Sequence, residues 1–228
     1  MKKWLVLLLV LASFDMTSQI RVIKANVGSA LFGAPGIAFE HVRKKKLAWQ
    51  IGGSYYIPNR RESFMYNSML ENRTMTSGKI TGFSVSLEHR WYTKLARREA
   101  NKPYVALFGR YYQFDMAMDF TDEQTDFHFA LHSINAGVGV QVGIQYVIKD
   151  KVSIDLGLLG IGYARNYLSG EVITVGGDPN IGKLEDDISE MPLLGNRIRL
   201  KAEDDKHVFN NRYGAPLYRG GIYFGVLF

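Results

Sequence analysis

The densest group of chemistry-bearing side chains lies between Asp115 and Ser133. Asp115, Asp119, Asp122, Glu123 and Asp126 form an acidic run, and His128, His132 and Ser133 follow it. Carboxylates suit hard cations such as Ca²⁺ or Mg²⁺, but the run lacks EF-hand spacing, so a solvated acidic loop is the plain reading. Ser133, the two histidines and Asp126 supply the residue types of a nucleophile, its base and an orienting carboxylate, a set suited to lipid ester hydrolysis. On a strand, however, positions 132 and 133 face opposite sides. His41, His89 and His207 have no carboxylate at useful spacing. Zero Cys excludes a disulfide framework, a Cys-ligated zinc site and a Cys nucleophile. The glycine pairs at 52–53, 176–177 and 220–221 lack phosphate-loop spacing, and Asn72-Arg73-Thr74 fits a glycosylation acceptor only in a suitable secretory context. No metal or cofactor is predicted, and enzymatic activity is not the leading expectation.

The elements that hold these residues read as strands. Ile134, Ala136, Val138, Val140, Val142, Ile144, Tyr146 and Ile148 share one face, while Ser133, Asn135, Gly137, Gly139, Gln141, Gly143 and Gln145 share the other. The same period-two alternation recurs in 47–57, 80–93 and 217–228. The polar face is small, rich in Gly, Ser and Ala, which suits the inside of a narrow barrel with the apolar face turned to lipid. A lipocalin-like soluble barrel is the inverse solution. No segment approaches the ~20 apolar residues of a spanning helix. The mean hydropathy of −0.10, 22% charged residues and 13% aromatics match neither a helical membrane protein nor a disordered chain.

Residues 1–18 read as a secretory signal: Lys2 and Lys3, an apolar run from Trp4 to Ala12, then a small polar region, with a cut beside Gln19. Residues 19–228 then form one all-β domain. Eight strands are placed at 21–32, 36–43, 47–57, 80–93, 103–114, 131–148, 152–165 and 217–228, forming an antiparallel up-and-down transmembrane β-barrel. After the first tight link the connections alternate short and long, which puts both termini in the periplasm. The link 166–216 is expected to be a long outward loop containing a short helix near 183–190. The apolar face of 152–165 switches at Leu158–Leu159, as a bulge would make it do; the facing of 103–114 is open.

Charge and aromatics follow this layout. The periplasmic turns hold Arg43, Lys44, Lys45, Lys46, Lys94, Arg97, Arg98, Lys102, Lys149 and Lys151 against Glu99 and Asp150, a net of +8, while the long loops net −6. The basic side could contact anionic headgroups or cell-wall polymer, or be ordinary solvated turn charge; separate turns make a poor nucleic-acid groove. Tyr55, Tyr56, Tyr111, Tyr112, Tyr163 and Tyr218 are expected in an outer girdle. Trp49, Trp91, Tyr92, Tyr104, Tyr146 and Phe228 are expected in a periplasmic one. The lumen should collect Lys24, Glu40, Glu88, Arg90, Arg110, Asp155 and Arg219, with Asn26, Asn135, Gln141 and Gln145 around them. These should pair into a polar plug, because unpaired charge in a dry lumen is costly; a narrow gated pore is the alternative.

Ile23-Lys24-Ala25-Asn26, the Phe32-Gly33 turn, Ile37-Ala38-Phe39-Glu40, Leu87-Glu88-His89-Arg90-Trp91-Tyr92 and the closing strand ending in Phe228 give the chain a family likeness. It resembles the small eight-stranded outer-membrane β-barrels of Gram-negative bacteria, of the OmpA-transmembrane-domain type. More narrowly, it is similar to a group of uncharacterised barrels known as a domain of unknown function. The resemblance covers most of the mature chain. It implies an outer-membrane location, contact with membrane lipids and lipopolysaccharide, and a barrel-assembly machinery that reads Phe224, Val226 and Phe228. It implies no catalytic residues. A structural or interaction role leads; a lipid-modifying barrel enzyme, a lipid A esterase or acyltransferase, is the alternative.

Overall fold

The computed structural model describes residues 20–31, 33–43, 46–57, 74–93, 101–121, 126–175, 201–203 and 206–228. The expected signal segment and Gln19, Phe32, Asp122, Glu123, Asn72, Arg73, the helix near 183–190, glycines 176–177, Glu99, and the turn residues Lys44, Lys45, Lys94, Arg97 and Arg98 lie outside them.

The elements are β1 (Ile20–Asn26), α1 (Val27–Leu31), β2 (Gly36–Arg43), β3 (Leu47–Tyr56), β4 (Thr74–Tyr92), β5 (Asn101–Thr121), β6 (Asp126–Ile148), β7 (Val152–Val175), β8 (Lys201–Glu203) and β9 (Lys206–Leu227). Strands β1 to β7 pair in chain order, β7 pairs with β9, and β9 returns to β1. All these pairings are antiparallel, so eight strands close an up-and-down ring; β8 only pairs with the start of β9. Closure satisfies both edges, a necessity wherever water is absent. At the seam, Arg21 and Phe228 exchange backbone hydrogen bonds of 3.3 and 3.0 Å. The end that carries Ile20 and Phe228 is called proximal below, and the opposite end distal.

The ring is sheared. Lys24 faces Gly225 across the seam. Stepping the other way through Ala38, Gly52, Ser86, Arg110, Gly137 and Ala164 ends at Ala215, ten residues more distal. Strands must therefore tilt, by ~35–45° in barrels of this kind. A row of paired residues consequently climbs toward the distal end from β1 round to β9.

Facing follows the period-two pattern. Val138, Val140 and Val142 are exposed on the outside, and Gln141 and Gln145 are buried inside. In the segment of open facing, Tyr104, Ala106 and Phe108 point in, and Val105 and Leu107 point out. The bulge lies where the apolar face switches: the β7–β9 register shifts between Gly157 and Gly160, and Leu158 and Leu159 both stand on the outside. Over this part of the ring the inverse arrangement, apolar in and polar out, is not adopted.

Three expectations are corrected. First, β1 stops at Asn26 rather than running to 32. The Asn26 Oδ1 accepts from the Ser29 backbone N–H at 3.0 Å, capping α1, and Gly33 with φ 74° turns the chain after it. Second, β4 to β7 and β9 run well past their expected distal limits, so 115–121, 126–130, 166–175 and 206–216 are strand, not loop. Alternation persists there but changes sign. Met118, Phe129, Leu131, Leu168, Val172 and Phe209 are buried inside, whereas His128, His132 and Glu171 stand on the outer face. Third, the girdles are thinner. Tyr55, Tyr111, Tyr163 and Tyr218 lie on the outer face distally, and Trp49, Trp91, Tyr146 and Phe228 proximally, but Tyr56, Tyr112, Tyr92 and Tyr104 are on the inner face.

The β6–β7 turn holds Lys149 and Asp150 at φ 50° and 55°, the left-handed pair a type I′ hairpin turn requires. Asp150→Gly is expected to raise the urea midpoint of the folded barrel by an amount equivalent to about 1 kcal/mol, because glycine occupies that conformation without the Cβ clash; an unchanged midpoint would show that the turn is unstrained.

Candidate functional site

Inward positions of a narrow barrel converge, so side chains distant in sequence meet at its axis. Lys24 on β1 lies 2.6 Å from Glu40 on β2 and 2.6 Å from Asp155 on β7. Arg90 on β4 lies 2.6 Å from Glu88 on the same strand and 2.6 Å from Asp155 across the lumen. Arg219 on β9 pairs with Glu88, again across the lumen. Three cations and three carboxylates thus form one network. Lys24, Glu40 and Asp155 are fully buried.

Neutral groups complete it. Gln50 on β3 accepts from Lys24 and donates to Glu88, both at 3.0 Å. The Tyr104 hydroxyl donates to Asp155 at 2.9 Å, and Gln145 on β6 donates to Glu40 at 2.9 Å. The Tyr92 hydroxyl meets both Glu40 and Gln145. The Arg90 guanidinium stacks 4.4 Å over Tyr104, and that of Arg219 4.9 Å over Phe108. Every strand of the ring therefore contributes. Apolar groups adjoin the network: Ala48, Tyr92, Tyr104 and Ala106 in one cluster, Phe108, Ala164 and Leu217 in another. Gly143 makes room for this packing, since a Cβ there would lie 2.4 Å from the Tyr104 ring.

Six of the seven expected lumen ions meet. Arg110 does not join them: it faces in farther along β5 and stacks 5.1 Å over Tyr112. Its departure leaves the network neutral. Gln50, Tyr92 and Tyr104 were not among the expected site residues. Parity identifies Gln50 and Tyr92, which share the inner faces of Ala48 and Arg90; Tyr104 lay in the segment of open facing. Phe224, Val226 and Phe228 all stand on the outer face of β9.

The Ser/His/Asp grouping does not assemble, and positions 132 and 133 face opposite sides as their adjacency on a strand implies. Ser133 is buried and inward, whereas His132 and His128 are outward. His132 pairs with Asp115 at 2.5 Å and His128 with Asp119 at 2.6 Å, each directly across β5 and β6. Asp126 lies opposite Thr121, not against either histidine. Ser169 is opposite His132 on β7, but no hydrogen bond joins them. Asp119, beyond the apolar band, is held below the usual carboxylate range by hydrogen bonds from His128 and Ser77. Among the described residues no group of three or more His, Asp or Glu is placed to hold a metal.

A protein-family profile described as protein of unknown function (DUF3575) matches residues 4–170. The chain belongs to this family. A crystal structure of a major outer membrane protein from Thermus thermophilus is similar at 11% identity, covering 92% of this chain and 99% of that one, with a TM-score of 0.44. No curated protein matches the chain.

The network makes an asymmetric prediction. Glu88→Ala takes from Arg219 its carboxylate and leaves Arg90 with Asp155 as its close partner, so the buried network carries an excess cation, and the change should destabilise the barrel by ~3–5 kcal/mol. Glu171→Ala breaks only the surface pair with Lys206, of 3.0 Å, and should cost less than ~1 kcal/mol. Equal urea midpoints for the two variants would contradict the burial of these ions.

Proposed function

We propose that the chain is an outer-membrane β-barrel protein with a structural or interaction role. The observation that carries this reading is the inverted distribution of polarity. Paired ions fill the interior, while Ile37, Ile51, Leu87, Val138, Ile161 and Phe224 are exposed in a continuous apolar band outside. Water would penalise that surface, and hydrocarbon would not. In this reading both termini lie in the periplasm, basic turns face it, and the distal extension carries its polar face outward. Membrane lipids and lipopolysaccharide surround the band. The barrel-assembly machinery would read the last strand through Phe224, Val226 and Phe228.

The pore alternative is disfavoured by ions with no accessible surface at the centre of the lumen. The lipid-acting enzyme alternative is disfavoured because Ser133 and His132 face opposite sides of the wall, as adjacent positions on a strand do.

Bimane placed singly at Val140 and Gln141 tests the band. Lipid-soluble quenchers should reach position 140 and not 141; the reverse would place the apolar face away from lipid. Deletion of Phe228 removes the final backbone pair with Arg21 and an outer aromatic. It should lower membrane insertion in cells, read as loss of heat-modifiable gel migration in the membrane fraction. Refolding into detergent should suffer less, because no machinery takes part. Normal insertion of the truncated chain would refute the terminal signal.

A further inference from the structure

The outer wall is not uniformly apolar. Across β4 to β7 it sinks into an open-sided furrow of about 560 Å³. Gly109 and Ala136 form the floor. Val85 and Leu87 line its β4 end, and Tyr163 and Arg165 its β7 end. The floor is low because side chains are missing there: a Cβ built on Gly109 would meet no atom within 4 Å. The volume falls within the range of sites that hold a small ligand.

The furrow is oriented. Tyr111 pairs with Val85 on one side and with Ala136 on the other, and Ala136 pairs with Arg165. Rows climb distally from β1 toward β9, so the Arg165 end lies distal and the Val85–Leu87 end lies deeper in the apolar band. The distal end is also cationic. Arg212 on β9 is directly opposite Tyr167, two residues beyond Arg165 on the same outer face, and its guanidinium stands 5.2 Å over that ring. Both arginines are exposed on the outside. An apolar channel that descends from two arginines at the rim of a lipid-facing band is complementary to one kind of molecule: phosphate at the top, hydrocarbon below.

We propose that this furrow binds an anionic membrane lipid, with one acyl chain along Gly109 and Ala136 and its phosphate between Arg165 and Arg212. The site rests on the membrane reading above, and it adds to that reading a specific lipid seat on one side of the barrel. Arginine is suited to it because its planar fork matches phosphate oxygens and its charge persists at any working pH. The two tyrosines beside it, Tyr163 and Tyr167, supply amphipathic rings at headgroup level.

The absence of Cys from the sequence makes a local test clean. Val140→Cys, on the same outer face of β6 but beside the furrow rather than on its floor, is labelled with bimane, reconstituted in vesicles and titrated with phosphatidylglycerol or phosphatidylcholine carrying brominated acyl chains. The expected result is half-maximal quenching at several-fold lower mole fraction of phosphatidylglycerol. In the same labelled background, Arg165→Gln should reduce that preference about five-fold, the effect of one cation near an anionic headgroup. Gly109→Leu should also reduce it, because the side chain fills the floor while both arginines remain. Heat-modifiable migration of each variant verifies that the barrel is closed. Equal midpoints for the two lipids, or a preference that survives both Arg165→Gln with Arg212→Gln and Gly109→Leu, would overturn the site. No quenching by either lipid would instead overturn the membrane reading itself.

Discussion

The neutral network of Lys24, Arg90, Arg219, Glu40, Glu88 and Asp155 is the constraint on which the barrel depends. A ring of eight strands leaves only enough interior for side chains, and here the interior is ionic. Removing any one member leaves an opposite charge buried without compensation, which is far costlier than the pair is worth. Lys24 is the clearest case. It sits on the first strand, and its partners are on the second strand and on β7, which lies beyond β9 across the seam. The contact that neutralises it is therefore satisfied only when the ring is closed. Register is fixed by the same means, because a slip of one residue would turn Lys24 or Glu40 into the apolar outer band and an apolar neighbour inward.

Beyond this level the same strands obey the opposite rule. In the distal extension Phe129 and Phe209 stack inside at 6.0 Å, while His128 and His132 bond aspartates outside. One strand, β6, carries both regimes: Leu131 and Ser133 are buried inside, Ile134 and Val138 face out, and His132 sits at the changeover. The hydrophobic effect explains both halves. In the membrane reading proposed above, what changes is the medium outside, hydrocarbon around Val138 and water around His128.

That change of sign also explains what the sequence did and did not reveal. The ring, its order, the bulge at Leu158–Leu159 and six of the seven lumen ions were legible, because apolar-out alternation over β3, β6 and β9 is long and regular. The distal strand extensions were not, because 166–175 and 206–216 break the apolar-out pattern that marked the strands elsewhere, and polar outer faces such as Glu171 and Asn210 look like loop. Tyr92 and Tyr104 illustrate a different ambiguity. Aromatics near strand ends suit an interfacial girdle, yet these two have hydroxyls that reach Glu40 and Asp155, and parity outweighed position. Arg110 shows the limit of parity alone: it faces inward, but its height along β5 brings it to Tyr112 rather than to a carboxylate.

A lumen closed by mutually neutralised ions narrows where the protein can act. Exchange with ligands through the centre would require breaking pairs that span β1, β4, β7 and β9, the same contacts that hold the ring closed. Recognition is then left to surfaces whose rearrangement costs the fold little. Two are available among the described residues: the polar outer face of the distal extension, and the Gly109–Ala136 furrow with its arginines. Both lie on the long-stranded side, β4 to β9, whereas β1 to β3 end early. Closure draws on every strand through the ion network and the β1–β9 seam, whereas these outward surfaces belong to the long strands alone.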